Sequence, residues 1–367
     1  MRVLVVNAGS SSLKLAVVDD ESVTDSTTVE RWAGEGHLQP LERFLDGSGG
    51  AAGIDAVGHR VVHGGPDHTE AARLDEDLVG YLDSIENLAP LHNPRALAGI
   101  REVGRLLPDT PAVACFDTAF HATLPAAAST YALPRVWNER WRLRRYGFHG
   151  LSHASAVRRA AALVGRPLDG LRIVSCHLGA GSSLAAVRDG RSIDTTMGFT
   201  PLAGLVMGTR SGSVDPGLLL WLLEHGGLSV DDVSDALEHE SGMKGLSGTS
   251  GDLREVLAGR ERGDAACALA YDVFLHRLVH EIAAMTGSAG GLDVLVMTGG
   301  IGERSPEVRA DAAAALGFLG VAVDAAANEA ARGDADISAP DATVRTVVVT
   351  AREDAEIARQ VRFVLSF

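Results

Sequence analysis

The amino-acid sequence predicts an α/β protein of two domains built on one duplicated plan. Three observations carry that prediction. At 367 residues the chain has the length of about two domains. Short β-branched runs alternate with helical patterns from end to end, as in sheets covered by helices. A strand–polar turn–strand unit opens the chain at 2–20 (RVLVVNAGSSSLKLAVVDD), and a second begins at 171 (LRIVSCHLGAGSSLAAVRDG). Between them Gly9/Gly179, Ser12/Ser182, Ala16/Ala186, Val17/Val187 and Asp19/Asp189 match at an offset of 170.

The elements follow in order. Residues 2–6 and 13–20 predict a β-hairpin around the turn NAGSSS. The polar, Gly-rich stretch to about residue 53 predicts no regular element. Residues 54–65 predict strand and loop, and 74–86 an amphipathic helix. AVACFDTAF at 112–120 predicts a buried strand running into a loop. The Ala-rich pattern at 151–165 predicts a helix, as do 216–224 and 265–286. LDVLVMTGGIGE at 292–303 predicts a buried strand ending in a glycine turn. A last strand is expected at 343–350 and a last amphipathic helix at 352–365.

Hydrophobic residues make up 46 % and charged residues 22 %, a globular composition. The 33 Lys+Arg against 48 Asp+Glu leave a net charge of −15. That argues against non-specific binding to nucleic acid or to an anionic membrane surface, which needs a basic footprint, so no nucleic-acid or membrane partner is expected, while an anionic substrate at a local site is not excluded. No apolar stretch approaches the ~18 residues needed to span a bilayer. The apolar run of MRVLVVN ends at Asn7, unlike a signal peptide. Cys115, Cys176 and Cys267 lie far apart without zinc spacing, so reduced thiols in a cytoplasmic protein are expected.

Glycine is abundant, 42 of 367 residues, and it is clustered. Four Gly/Ser turns are each expected after an apolar strand: NAGSSS, HLGAGSS, SGTSGD and TGGIGE. Backbone N–H groups in such turns point into a concavity and can hold phosphate oxygens. Four of them, spread over both halves, predict a nucleotide in a cleft. GxxxxGK[ST], a complete GxGxxG and GxSxG are all absent, which argues against a P-loop, a dinucleotide fold and a nucleophile elbow. Seven of the 13 histidines sit in short motifs (GHRVVHGG, APLHNP, FDTAFH, YGFHGLSH, HLGAG) near Arg60 and Asp117. Arg60 and Arg210 lie among glycines, and their planar forks suit carboxylates and phosphates.

NAGSSSLK (7–14), GHRVVHGG (58–65), LAPLHNP (88–94), CFDTAFH (115–121), RRYGFHGLSH (144–153), HLGAGSS (177–183), MGFTPLAGLVMGTRSGSVDPG (197–217), SGDLRE (250–255) and TGGIGE (298–303) together resemble the acetate kinases of the acetokinase family. The resemblance covers nearly the whole chain in order. It implies two duplicated ribonuclease-H-like domains of the actin-like ATPase type around a central cleft. The N-terminal domain, 1–121 plus 355–367, would carry the substrate and dimer side. The C-terminal domain, 122–354, would carry the nucleotide. It further implies a cytoplasmic homodimeric kinase that transfers a phosphoryl group reversibly from ATP to acetate, giving acetyl phosphate and ADP. Mg²⁺ would be the cofactor, with Mn²⁺ as an alternative.

By the same resemblance, Asn7 and Glu353 would position the metal, and Lys14 would lie near the ATP phosphates. Arg60 would bind the substrate carboxylate, with Val62, Leu91, Phe148 and Pro201 around its methyl group. Asp117 takes the position assigned as proton donor or acceptor. His149 and Arg210 would stabilise the transferring phosphoryl group. ATP would be held by His177, Leu178, Gly179, Ala180 and Gly181, by Asp252, Leu253 and Arg254, and by Gly300, Ile301, Gly302, Glu303 and Arg304. The family usually carries Asn where this chain has Ala180, Arg304 and Arg352.

A carboxylate with a pKa near ~4–5 is already ionised at neutral pH and needs no general base to attack the γ-phosphorus. Catalysis by direct in-line attack then reduces to positioning and charge neutralisation. Asp117 is therefore expected to orient a metal, a water or an arginine. Two other readings compete. A propionate or other short-chain acyl kinase shares these motifs, although Val62 favours the smaller acid. A non-enzymatic nucleotide switch of the actin or Hsp70 type shares the fold, but not an arginine and a small apolar pocket beside the γ-phosphate.

Overall fold

The computed structural model describes residues 1–9, 12–30, 32, 38–48, 50, 53–90 and 92–366. The chain divides into two compact units. The first comprises Met1–Ala122, Phe148–Ser155 and Arg352–Phe367, and the second Thr123–Gly147 and Ala156–Ala351. The segment Phe148–Ser155, which the sequence boundaries did not single out, joins the first unit for a packing reason. Leu151 is buried in one cluster with Val113, Cys115 and Ile357.

The first unit holds β1 (Arg2–Ala8), β2 (Ser12–Asp19), β3 (Ser22–Glu30), β4 (Ala56–Val61), β5 (Ala72–Arg73) and β6 (Ala112–Phe116), in sheet order β3-β2-β1-β4-β6-β5. Strands β1, β4 and β6 are parallel, and the other pairings are antiparallel. Successive residues of a strand face opposite sides. Leu4, Val6, Leu13, Leu15 and Val17 accordingly pack with Trp32, Leu41, Phe44 and Val103. Val3, Val5, Ala16 and Val18 pack instead with Ile357, Ala358 and Val361 of the Glu353–Leu365 helix. Covering both faces explains why β1 is a continuous apolar run.

The second unit holds β7 (Arg172–Leu178), β8 (Ser182–Arg188), β9 (Arg191–Thr195), β10 (Val294–Thr298), β11 (Ala335–Asp336) and β12 (Arg345–Val348), in order β9-β8-β7-β10-β12-β11. Each strand thus repeats the place and the sense of its counterpart in the first sheet. The 25-residue helix Ala265–Ala289 buries Cys267, Ala270, Tyr271, Phe274, Leu278 and Ile282. These recur three or four residues apart, one stripe of a 3.6-residue period against the sheet.

The duplication is genuine, but most of the residue matches noticed in sequence are not equivalences. Ala8 pairs with Leu13 across the first hairpin, and Leu178 with Ser182 across the second, so the second loop is one residue shorter. The offset of 170 holds along β1 and β7, including Gly9/Gly179, and falls by one along β2 and β8. The bulges at Val17/Val18 and Ala186/Val187 mark the shifted register. A one-residue slip turns a side chain to the other face. Ser12/Ser182, Ala16/Ala186, Val17/Val187 and Asp19/Asp189 are therefore coincidences of composition.

Three further expectations are corrected. The stretch read as irregular contains β3 and the helix Leu38–Gly47. Strand β3 lies at the sheet edge, where Ser22, Thr24, Ser26 and Thr28 are exposed without opposing strand formation. SGTSGD follows the helix Gly242–Ser247, not a strand. TGGIGE is not a turn, because the helix Gly299–Arg304 begins directly after β10.

Candidate active site

In the first unit, adjacent parallel strands bring the polar residues together at their carboxyl ends. Asn7 on β1 pairs in register with Arg60 on β4 and, on its other side, with Lys14 on β2. Asp117 follows β6 directly. Ligands of open α/β sheets bind at this end of the strands. The Arg60 guanidinium donates to Asp117 through Nε (3.1 Å) and Nη2 (2.6 Å), and through Nη1 to Asn7 Oδ1 (3.1 Å). Glu353 Oε2 lies 3.9 Å from the same Nη1. Three of the five guanidinium N–H groups are thus hydrogen-bonded, with the Glu353 carboxylate beside Nη1 as a further charge partner.

Burial is the largest influence on this cluster. It pushes the Asp117 carboxyl up from the ordinary range, and the Arg60 charge and hydrogen bond oppose that shift. Burial also works against the Arg60 charge, but Asp117 and Glu353 outweigh it and hold the guanidinium above its ordinary value. The two-point contact couples the two groups, so that each favours the charged form of the other. Asp354, which the sequence reading did not select, joins them. Burial and Glu353 raise its carboxyl, while Lys14 and Arg60 pull it down.

His149 precedes the helix Gly150–Leu163 in the left-handed region, at φ 56°. Non-glycine residues visit that region rarely, and mostly where surrounding structure imposes it. Here Gly150 N donates to Asp117 O at 2.9 Å. A Cβ on Gly150 would stand 2.2 Å from that oxygen, so only glycine allows the approach. Phe148 and Val62 are buried, and the Phe148 ring meets His63 edge-on at 5.6 Å. Leu91 lies outside the described residues. Burial lowers His59 to about 3 and His63 and His121 to about 4, leaving all three neutral at pH 7. His121 Nε2 lies 3.0 Å from the Phe148 carbonyl oxygen.

In the second unit, segments far apart in sequence line one cavity of about 690 Å³. Gly179 and Ala180 come from the end of β7, Asp252, Leu253 and Arg254 from the next segment, and Gly300, Ile301 and Arg304 from the helix after β10. Its size suits a nucleotide-sized ligand. Asp252 caps the helix Leu253–Glu261 and is bound by the Arg254 side chain, which holds its carboxyl down at about 2. His177, Leu178, Gly181, Gly302 and Glu303 are not among the lining residues. Gly302 and Glu303 contribute carbonyls to Arg309, whose buried guanidinium also binds the Asn328 carbonyl and side chain. That staple fixes the helix end beside Arg304, and the sequence reading missed it. Gly208, Thr209 and Met243 also line the cavity without having been singled out.

Arg210 belongs to the second unit. Its Nη1 donates to the Pro201 carbonyl at 3.2 Å, and its Nε lies 3.3 Å from Glu238 Oε2. Burial lowers its pKa and Glu238 opposes that. The predicted residues therefore form two groups, each internally coherent. Asn7, Lys14, Arg60, Val62, Asp117, Phe148, His149 and Glu353 lie in the first unit. Pro201, Arg210 and the expected nucleotide ligands lie in the second.

The twice-repeated sheet, with its polar residues at the ends of the parallel strands, defines an actin-like ATPase fold. The chain belongs to the acetokinase family, whose model matches residues 47–359. An acetate kinase from Synechococcus sp. (strain JA-2-3B'a(2-13)) is 47 % identical over 395 residues, 98 % of each chain. The crystal structure of Porphyromonas gingivalis acetate kinase superposes with a TM-score of 0.92 at 35 % identity, covering both chains fully. A propionate kinase from Francisella tularensis subsp. tularensis SCHU S4 superposes with 0.91 at 33 % identity, over 99 % of this chain and 100 % of that one.

Proposed function

We propose that the protein is an acetate kinase, a phosphotransferase with a carboxyl group as acceptor, converting ATP and acetate reversibly into ADP and acetyl phosphate. The observation that carries this is Arg60: a largely shielded guanidinium, 17 % exposed, fixed by Asp117 and Asn7 at the strand ends, in the same unit as the buried apolar side chains of Val62 and Phe148. A small carboxylate with a short apolar tail matches that combination. The ATP site is the cavity of the second unit, from Gly179 to Arg304.

The acid is ionised at neutral pH, so its oxygen attacks the γ-phosphorus without a base. Arg60 binds the carboxylate and aligns it. Asp117 holds the Arg60 fork in one orientation and is not needed as a proton carrier. Arg210 and His149 neutralise charge that builds on the phosphoryl oxygens. Asn7 and Glu353 offer an amide and a carboxylate oxygen that both face one Arg60 nitrogen, a donor set that suits Mg²⁺. No group of three or more His, Cys, Asp or Glu that could hold an ion occurs among the described residues. When bound, the ion supplies charge neutralisation at the phosphates.

Propionate is the second reading, favoured by the likeness to a propionate kinase. One methylene changes binding by only ~1–3 kcal/mol, so propionate is expected as a poorer substrate. A homodimer is supported by the helix Pro216–His225, none of whose residues is buried, with Leu220 59 % and Trp221 55 % exposed. An apolar helix left in water calls for cover. That surface belongs to the second unit, whereas the resemblance placed the dimer side on the first. No helix among the described residues is long and apolar enough to cross a membrane. The cytoplasmic placement rests on the family resemblance alone. The test incubates ATP, Mg²⁺ and acetate, propionate or butyrate separately and traps the acyl phosphate with hydroxylamine. Acyl hydroxamate from acetate above that from propionate is expected. ATP hydrolysis without acyl transfer would overturn the assignment.

A further inference from the structure

The two arginines given roles in the proposed reaction are each held by a carboxylate within their own unit, but only one of those carboxylates stands out in sequence. Arg60 has Asp117, inside the motif CFDTAFH. Arg210 has Glu238, in DDVSDALEHE, a stretch that reads as an exposed acidic face. Glu238 Oε2 lies 3.3 Å from Arg210 Nε, and both side chains are mostly shielded from solvent, with 23 % and 22 % exposure.

The backbone around this pair is built to hold it. Residues Ala236–Glu240 form a π-helical turn, a rare element often found at functional sites. Thr209 Oγ1 donates to the Glu238 carbonyl (2.9 Å) and Ser211 N to the Leu237 carbonyl (3.0 Å). In the opposite sense, Ser241 N donates to the Thr209 carbonyl at 2.9 Å. The residues on either side of Arg210 are therefore hydrogen-bonded to this turn or to the residue after it. The contact continues beyond it, with Met243 N on the Met207 carbonyl and Lys244 N on the Gly208 carbonyl, both at 2.9 Å. Gly242, at φ 63°, makes this possible, since a Cβ there would stand 2.3 Å from the Met207 oxygen and 2.7 Å from the Arg210 oxygen.

We propose that Glu238 is a positioning residue for phosphoryl transfer. It binds Arg210 at Nε, and the π-turn fixes its own place, so that the Arg210 guanidinium keeps one orientation toward the phosphoryl group. This rests on the reading of Arg210 given above. Nη1 donates to the Pro201 carbonyl (3.2 Å) and to Met207 Sδ (3.7 Å), so the N–H groups of Nη2 are the ones presented to the ligand. An arginine free to change rotamer would lose that alignment, and a misplacement of about 1 Å costs about 100-fold in rate. Glu238 touches no reacting atom.

The experiment compares Glu238→Gln, Glu238→Asp, Arg210→Ala and the double variant Arg210→Ala/Glu238→Gln in the full-length protein. It measures kcat, both KM values and the melting temperature. Glu238→Gln is expected to lower kcat about 10- to 100-fold, with both KM values changed less than about twofold and the melting temperature unmoved. Glu238→Asp should recover part of the loss. In the Arg210→Ala background, Glu238→Gln should cost nothing further, because the group it positions is gone. A wild-type kcat for Glu238→Gln beside a collapsed Arg210→Ala would overturn this inference alone, as would losses that multiply in the double variant. A wild-type kcat for Arg210→Ala would overturn the role of Arg210 itself.

Discussion

Asp117 accepts two hydrogen bonds from Arg60, at 3.1 and 2.6 Å, on strand ends that the sequence separates by 57 residues. The buried carboxylate locks the guanidinium from the side. An acid–base role would need Asp117 to exchange its proton during turnover, and a carboxylate paired at two points to arginine resists that.

Asp117→Asn should therefore lower kcat/KM for acetate through a misaligned Arg60, without removing any ionisation from the pH–rate profile. Loss of one limb of that profile would instead assign Asp117 to proton transfer. Asp117→Ala strips the partner from a buried charge, which costs about 3–5 kcal/mol of stability, visible as a fall in the denaturant midpoint.

Arg60→Ala and Arg210→Ala should separate in steady-state kinetics. The first should chiefly raise the acetate KM, because it removes binding made before the chemical step. The second should lower kcat by about 100-fold or more and leave ATP affinity largely intact. Equal effects confined to ATP binding would contradict both roles.

The buried histidines predict acid sensitivity. His63 and His121 are lowered from 6.5 to about 4, and His59 to about 3. The unfolded chain binds these protons below pH 6.5 and the folded chain does not, so stability falls as pH drops from 6.5 toward 4. Each group contributes up to about 1.4 kcal/mol per pH unit in that window. Urea midpoints measured between pH 7 and 5 should decline, and His121→Gln should flatten the decline. A midpoint independent of pH across that range would count against it.

Trp221→Glu, at 55 % exposure on the apolar Pro216–His225 helix, should convert a dimer to a monomer in light scattering. The melting temperature of the separated chain should then no longer rise with protein concentration. A dimer that survives Trp221→Glu together with Leu220→Arg would place the interface elsewhere.

The expected ATP ligands show how far local signals reach. Gly179, Asp252 and Gly300 each sit in a short glycine motif, and they meet in one cavity. Glu238 and Arg309 escaped because nothing near them in sequence differs from an ordinary solvated helix. Their partners, Arg210 and Asn328, lie 28 positions before the one and 19 after the other, as the numbering shows. The second hairpin misled for a related reason. Identity at a constant offset could not register a loop shortened by one residue, which reverses the faces of β8.

By itself, the sequence determined the α/β class, the duplicated strand–turn–strand units and the motif residues Asn7, Arg60, Asp117 and Arg210. These are local: apolar periodicity and glycine turns are written in consecutive residues. Only the tertiary structure decided which carboxylate each arginine meets, that Phe148–Ser155 packs with the first unit, and which expected nucleotide ligands line the cavity. Those outcomes depend on strand register and on burial, and both arise from pairings between segments distant along the chain.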